Sequence, residues 1–284
     1  MAPLMKPHPA ESAGCNVSAY HGICRCVGKP ASWMAFLCAA ITAAVVLLAT
    51  AHAIVIGSDD RTELEERELE EFAAIGVVAS GDVPRGTAFL VCDCLTVVTA
   101  AHLAIDGYGH LPDQGVEFLH DRHQGTPHMF DKATVSLAAS ARPGSYDPQT
   151  DWLIARLVRP VPDCLPLQYK VPDRVKGWKT VSMIGFQSDL GAKRISRECS
   201  TSAVLADKGL LIHMCDGAAG SSGSPLLITD GTDLHPARRA VAIQSGEARY
   251  LGFNVAVLFS GEFEKALGKL VTSCDAAVSP VALR

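Results

Sequence analysis

The chain reads as an all-β protein with one α-helix near its C-terminus, and three observations predict this. Apolar residues make up 48% of its 284 residues and charged residues 19%, which excludes a disordered polyelectrolyte or a collagenous chain. Glycine (24) and proline (16) are plentiful while aromatics are only 6%, a balance that suits turn-rich sheets better than a helical bundle. Beyond residue 71 the apolar residues come in runs of strand length separated by Gly, Pro and Asp. No helix-period segments alternate with those runs, which disfavours a parallel α/β sheet. The formal net charge of -5, with no Lys/Arg cluster, argues against a nucleic-acid partner.

Residues 1–53 stand apart from the fold. Ala31 to Ser58 contains no Asp, Glu, Lys or Arg, and its centre, from Trp33 to Leu48, is an apolar helical run. Lys6, Arg25 and Lys29 precede it, and Ala51-His52-Ala53 follows with small residues at a cleavage position. A basic cytoplasmic n-region, an apolar run and a small-residue site are the three parts of a secretory signal. Two outcomes stay open: cleavage after Ala53, or retention as a signal anchor, since about 20 apolar residues can span a bilayer. Both place the remainder outside the cytoplasm, secreted or periplasmic in the first case and anchored in the membrane in the second. Six cysteines then remain, Cys92, Cys94, Cys164, Cys199, Cys215 and Cys274, an even number compatible with disulfides in an exported chain.

Asp59 to Glu71 is strongly acidic and reads as a solvated arm or short surface helix. Strand-length runs follow at Ile75–Ala79, Thr87–Val91, Leu95–Thr99, Trp152–Leu157, Thr180–Ile184, Leu210–Met214, Pro225–Ile228 and Ala240–Ile243, with a last signal near Phe253–Leu258. After Gly261, Phe263, Leu267, Leu270 and Val271 fall on one face of a helix.

Three segments carry chemistry. Gly220-Ser221-Ser222-Gly223-Ser224-Pro225 places a serine on a glycine-permitted turn, where the N–H groups of Gly220 and Ser222 can converge on one oxygen. That is what a nucleophile attacking an amide requires. Val97-Val98-Thr99-Ala100-Ala101-His102 ends a β-branched run on two small residues and a histidine, which leaves room to pack behind an imidazole acting as base. Asp151 heads Trp152-Leu153-Ile154-Ala155-Arg156-Leu157, where a carboxylate can accept Nδ1–H and fix a histidine tautomer; Asp147 is the competing carboxylate. The order His, Asp, Ser matches chymotrypsin-type barrels rather than subtilisins or α/β-hydrolases.

With those motifs in view, the chain resembles the trypsin-like serine peptidases. Its Ser222-Gly223-Ser224-Pro225 ending is similar to the bacterial, glutamyl-endopeptidase-like (V8-like) branch, as are Val55-Ile56-Gly57-Ser58 and Phe253-Asn254-Val255-Ala256-Val257. The resemblance spans roughly Ile54 to Val271. It implies two six-stranded antiparallel β-barrels, residues 54–160 carrying His102 and Asp151, and residues 161–284 carrying Ser222 and the terminal helix. It further implies general base, orienting acid and nucleophile for His102, Asp151 and Ser222, an oxyanion hole at Gly220 and Ser222, an acyl-enzyme, and a polypeptide substrate. An inactive relative using the same cleft to bind a peptide or partner is the alternative. The sequence departs from the animal enzymes at Ser221, where they keep an Asp that pairs with a freed N-terminal amine, and at Leu103, where they keep a Cys.

Specificity residues are expected at Gln244, Ser245 and Gly246, whose strand should line the pocket and pair with substrate backbone. Gln244 supplies no positive charge for a Glu substrate. Asp216, six residues before Ser222, would select Arg or Lys if it pointed into the pocket and would leave the pocket neutral if it pointed away. Cys199 and Cys215 bracket a turn between two strands and are expected to pair, with Cys164–Cys274 the second pair. His120, His123 and His128 have metal-compatible spacing, but Gly125 and Pro127 mark a loop, so no metal or cofactor is expected.

Overall fold

A computed structural model describes residues 53–106, 109–120, 126–138, 146–171, 180–232, 235–248, 251–271 and 274. The apolar leader, apart from Ala53, lies outside the described residues, as does His123. Among the described residues no helix is long and apolar enough to cross a membrane.

Among the described residues two sheets carry the chain, antiparallel throughout except where the short strand β9 (Gln168–Tyr169) pairs in parallel with β14 (His235–Ala248). The first is seven-stranded, built from β2 (Ile75–Ser80), β3 (Val83–Leu90), β4 (Thr96–Thr99), β5 (Glu117–Leu119), β6 (Pro127–Met129), β7 (Ser136–Leu137) and β8 (Leu153–Arg156) in the order β6-β5-β2-β3-β4-β8-β7. The second contains β1 (Thr62–Glu63), β9 (Gln168–Tyr169), β10 (Thr180–Gln187), β11 (Ala192–Leu205), β12 (Leu210–His213), β13 (Pro225–Thr232), β14 (His235–Ala248) and β15 (Phe253–Leu258), in the order β1-β11-β10-β13-β14-β15-β12 with β9 joining β14. Strand β11 is 14 residues long and serves two neighbours. Its first half pairs with β10 and its second half with β12, which closes a six-stranded barrel. The all-β expectation therefore holds. One barrel is closed, while the described strands of the other half form a curled sheet.

The core follows from the alternation and runs already visible in the sequence. Ile75, Phe89, Leu90, Val97, Val98, Phe118, Leu153 and Ile154 are fully buried in the first half. Helix α3 (Glu262–Leu270) lays Phe263 and Leu267 against that core. Phe263 stacks on Phe259 at 4.5 Å and meets the edge of Trp152 at 5.3 Å, so the terminal helix clamps the residue that follows Asp151. The acidic stretch forms α1 (Glu66–Glu71), and it is less solvated than expected. Glu68 is only 2% exposed, because its carboxylate receives Arg197 through both guanidinium nitrogens and also caps Glu65 N–H.

Among the described residues three disulfides tie these parts together: Cys92–Cys274, Cys94–Cys164 and Cys199–Cys215. The last is the expected pair. The expected Cys164–Cys274 bond is corrected. Cys92 and Cys94 follow β3 on a tight turn, and each takes one of those two partners, so the inter-sheet segment and the end of α3 are both fastened to the first sheet.

Candidate active site

Each half supplies part of the site. Strand β4 ends at Thr99, buried Ala100 and Ala101 follow, and α2 (Ala101–Ala104) carries His102. The two small residues let the turn settle directly on the sheet. His102 Nδ1 lies 2.8 Å from Asp151 Oδ2, and the His102 backbone N–H donates to Asp151 Oδ1 at 2.9 Å. The carboxylate is 4% exposed and the imidazole 23%, so Asp151 is enclosed while His102 stays partly open to solvent. Asp147 does not compete. Its side chain accepts the Gln149 N–H and its carbonyl accepts the Thr150 N–H, which forms the turn that delivers Asp151.

The loop that carries Ser222 is held from three sides. Gly220 has φ +96° and Gly223 φ +83°, conformations that a side chain opposes. At Gly223 a Cβ would also run into the Thr87 carbonyl. Ser221, fully buried, folds back on the loop by donating to the Ala218 carbonyl. From the first sheet, Thr87 donates its N–H to Ser222 O at 2.9 Å and its hydroxyl to Gly220 O at 2.8 Å. From β14, Gly223 N–H donates to Gln244 O and Gln244 N–H to Ser224 O.

Strand β14 shifts register between Gln244 and Gly246, so Ser245 sits on a bulge. Bulges re-aim side chains, and here the effect is specific. Ser245 Oγ donates to Asp151 Oδ2 at 2.6 Å, while its carbonyl lies 3.5 Å from Ser222 Oγ. Ser222, Ser245, Asp151 and His102 thus form one neighbourhood drawn from four separate segments. Tyr146 joins it, with its hydroxyl 2.8 Å from Ser245 Oγ and its ring edge-on to His102 at 6.0 Å. Burial, reinforced by the Asp151 charge, pushes the Tyr146 phenol well above its ordinary range.

The residues expected to set specificity behave differently from expectation. Gln244 is fully buried; its Oε1 faces His213 Nε2 at 2.7 Å and its amide donates to Gly246 O. His213 Nδ1 accepts the Cys215 N–H, so the ring is the neutral tautomer donating through Nε2. Burial holds its pKa down to about 4. Asp216 turns toward the segment before β1: it is 1% exposed, with Oδ1 accepting Ile56 N–H at 2.6 Å and Oδ2 accepting Asp60 N–H at 2.8 Å. The selection for Arg or Lys that it could have conferred does not follow. Desolvation raises the pKa of this carboxyl despite those two bonds. Beside it, Asn254 brackets Ile54, accepting its N–H and donating to its carbonyl, which also accepts Gly217 N–H.

Thr87, Tyr146, His213 and Asn254 were not singled out by the sequence. Thr87 and His213 lay inside strand runs already noted, and Asn254 inside the motif similar to the V8-like branch. Tyr146 stands in a Pro/Gly-rich stretch with no periodicity at all.

Fold comparison places this architecture among known proteins. A Glu endopeptidase solved with MPD superposes at TM-score 0.63 over 78% of this chain and 100% of its own, at 13% identity. A thermostable serine protease, AL20, from an extremophilic microorganism matches at 0.53 with 15% identity, covering 72% of this chain and 99% of its own. The fold is that of the chymotrypsin-like serine proteases. The protease Anisep from Arthrobacter nicotinovorans shares this chymotrypsin-like fold at TM-score 0.53 and 11% identity, over 71% of this chain and 96% of its own. No family profile matches the sequence, and no curated protein matches it either. The chymotrypsin-like assignment therefore rests on shape, and it agrees with the sequence motifs at His102 and Ser222.

Proposed function

We propose that the chain is an exported serine endopeptidase acting through His102, Asp151 and Ser222. The observation that carries this reading is the pairing of His102 Nδ1 with an enclosed Asp151 carboxylate beside a serine held on a left-handed glycine turn. In this mechanism His102 Nε2 removes the proton from Ser222 Oγ as the oxygen attacks the peptide carbonyl. Asp151 holds Nδ1–H, so that Nε2 is the basic nitrogen, and stabilises the imidazolium that forms. The N–H groups of Gly220 and Ser222 receive the developing oxyanion. His102 then returns the proton to the leaving amine, and water repeats the sequence on the acyl-enzyme. Polypeptide is the substrate class that the fold and the cleft support. Gln244 spends its polar atoms on His213 and Gly246, and Asp216 on residues 56 and 60, so a neutral P1 residue suits the pocket best. Three disulfides fit an extracellular or periplasmic compartment.

The test is covalent labelling with a fluorophosphonate probe followed by peptide mapping. Label on Ser222 and loss of several orders of magnitude of turnover in Ser222→Ala are the expected results. Full hydrolysis by purified Ser222→Ala would refute the assignment. A folded wild type with neither label nor turnover would leave the cleft as a peptide-binding groove.

A further inference from the structure

We propose that Tyr146 is a positioning residue of this machinery, its hydroxyl holding Asp151 through Ser245 and its ring holding His102. The inference rests on the triad reading above. Ser245 Oγ is 2.6 Å from Asp151 Oδ2 and 2.8 Å from the Tyr146 hydroxyl. A serine hydroxyl has one proton, and a carboxylate oxygen only accepts. The Ser245 proton therefore goes to Asp151, and Tyr146 is the donor to Ser245. The bonds run in one direction, from Tyr146 O–H to Ser245 Oγ and from Ser245 O–H to Asp151 Oδ2, which also receives His102 Nδ1–H.

This order fixes a rotor. Ser245 sits on a bulge, and its hydroxyl could turn among three staggered positions; the phenol selects the one that meets Asp151. The phenol is kept protonated by its buried surroundings, so it remains a donor. Its ring, edge-on to the imidazole at an interplanar angle of 84°, restrains the other partner of the same pair. The Asp147 turn joins the two ends of this device, because Tyr146 enters it and Asp151 leaves it. Hydrogen bonds in such chains reinforce one another, so a lost outer member is felt at the inner one.

Tyr146→Phe removes the hydroxyl and keeps the ring. On a chromogenic peptide anilide chosen from a peptide-library digest, kcat should fall roughly threefold to tenfold with KM unchanged. Tyr146→Ala should fall further, and the Phe variant should recover the difference. Tyr146→Phe combined with Ser245→Ala should be no worse than Ser245→Ala alone, because the hydroxyl acts through that serine. The downfield proton resonance of His102 Nδ1–H should shift in Tyr146→Phe. A wild-type kcat with an unmoved resonance in Tyr146→Phe overturns the proposal, as do penalties that multiply in the double variant. If the wild type itself neither turns over nor labels at Ser222, the protease reading fails, and the resonance alone still decides the Tyr146 link.

Discussion

His213 shows how one side chain makes the fold sensitive to acid. It is fully buried and neutral, donating to Gln244 and accepting from the Cys215 N–H. Its pKa of about 4 in the folded chain lies below the ordinary 6.5. Because the folded value is depressed, the unfolded chain binds the extra proton first. The stability this neutral ring contributes is complete above pH 6.5 and drains away as pH falls toward 4. A shift of this size corresponds to on the order of 3 kcal/mol. Urea melts between pH 7 and pH 4.5 should show that loss, and His213→Gln should flatten the slope in the same window. An unchanged slope in the variant would assign the acid sensitivity to other groups.

At the scale of elements, the segment around Ile54–Arg61 behaves as a strap on the closed barrel. Asp216 receives two of its N–H groups, Asn254 brackets Ile54, and Ser196 donates to Asp60. Arg61 reaches Asp59 and Asp189 and also Gln187, whose Oε1 accepts the Ala218 N–H at the start of the loop that carries Ser222. Asp216→Ala should therefore cost on the order of 2–4 kcal/mol and expose the Ile56 and Asp60 amides to rapid hydrogen exchange. Protection that survives the substitution would mean that the strap is held elsewhere.

The same scale explains what the sequence made legible. Strands with dense apolar runs, such as β2, β4 and β8, and the one-faced helix α3 were readable because their burial is written as periodicity. Only the second half of β11 was legible, as the strand that leads into the turn between Cys199 and Cys215; its first half was missed because Lys193, Arg194, Arg197 and Glu198 break up the apolar pattern, and its pairing with β10 is what makes it a strand. His102, Asp151 and Ser222 could be chosen because local chemistry marks them. The direction of Asp216 could not be, because it depends on a segment 156 residues away folding back onto it. Cysteine pairing had the same obstacle, since nothing local distinguishes Cys92 from Cys164 as the partner of Cys274.

For the molecule as a whole, the disulfides differ in what they close. Cys92–Cys274 spans 182 residues and joins the first sheet to the end of α3, whereas Cys199–Cys215 spans 16 within the barrel. Loop entropy assigns roughly 5 kcal/mol to the first and roughly 3 kcal/mol to the second. Replacing both cysteines of each pair by Ala, and comparing denaturation midpoints, should therefore rank the long loop as the costlier loss. The reverse ranking would show that local packing, not chain entropy, governs these bonds.

Thr87 carries a consequence for how this protein can change. It belongs to one sheet yet holds the backbone of Gly220 and Ser222 in the other, while its own carbonyl is fixed by Thr99 and its hydroxyl also receives Phe186 N–H. In laboratory evolution for new activity, position 87 should tolerate as little variation as His102, Asp151 and Ser222. A chimera that takes each half from a different relative should work only when residue 87 and the 220–223 loop come from the same parent.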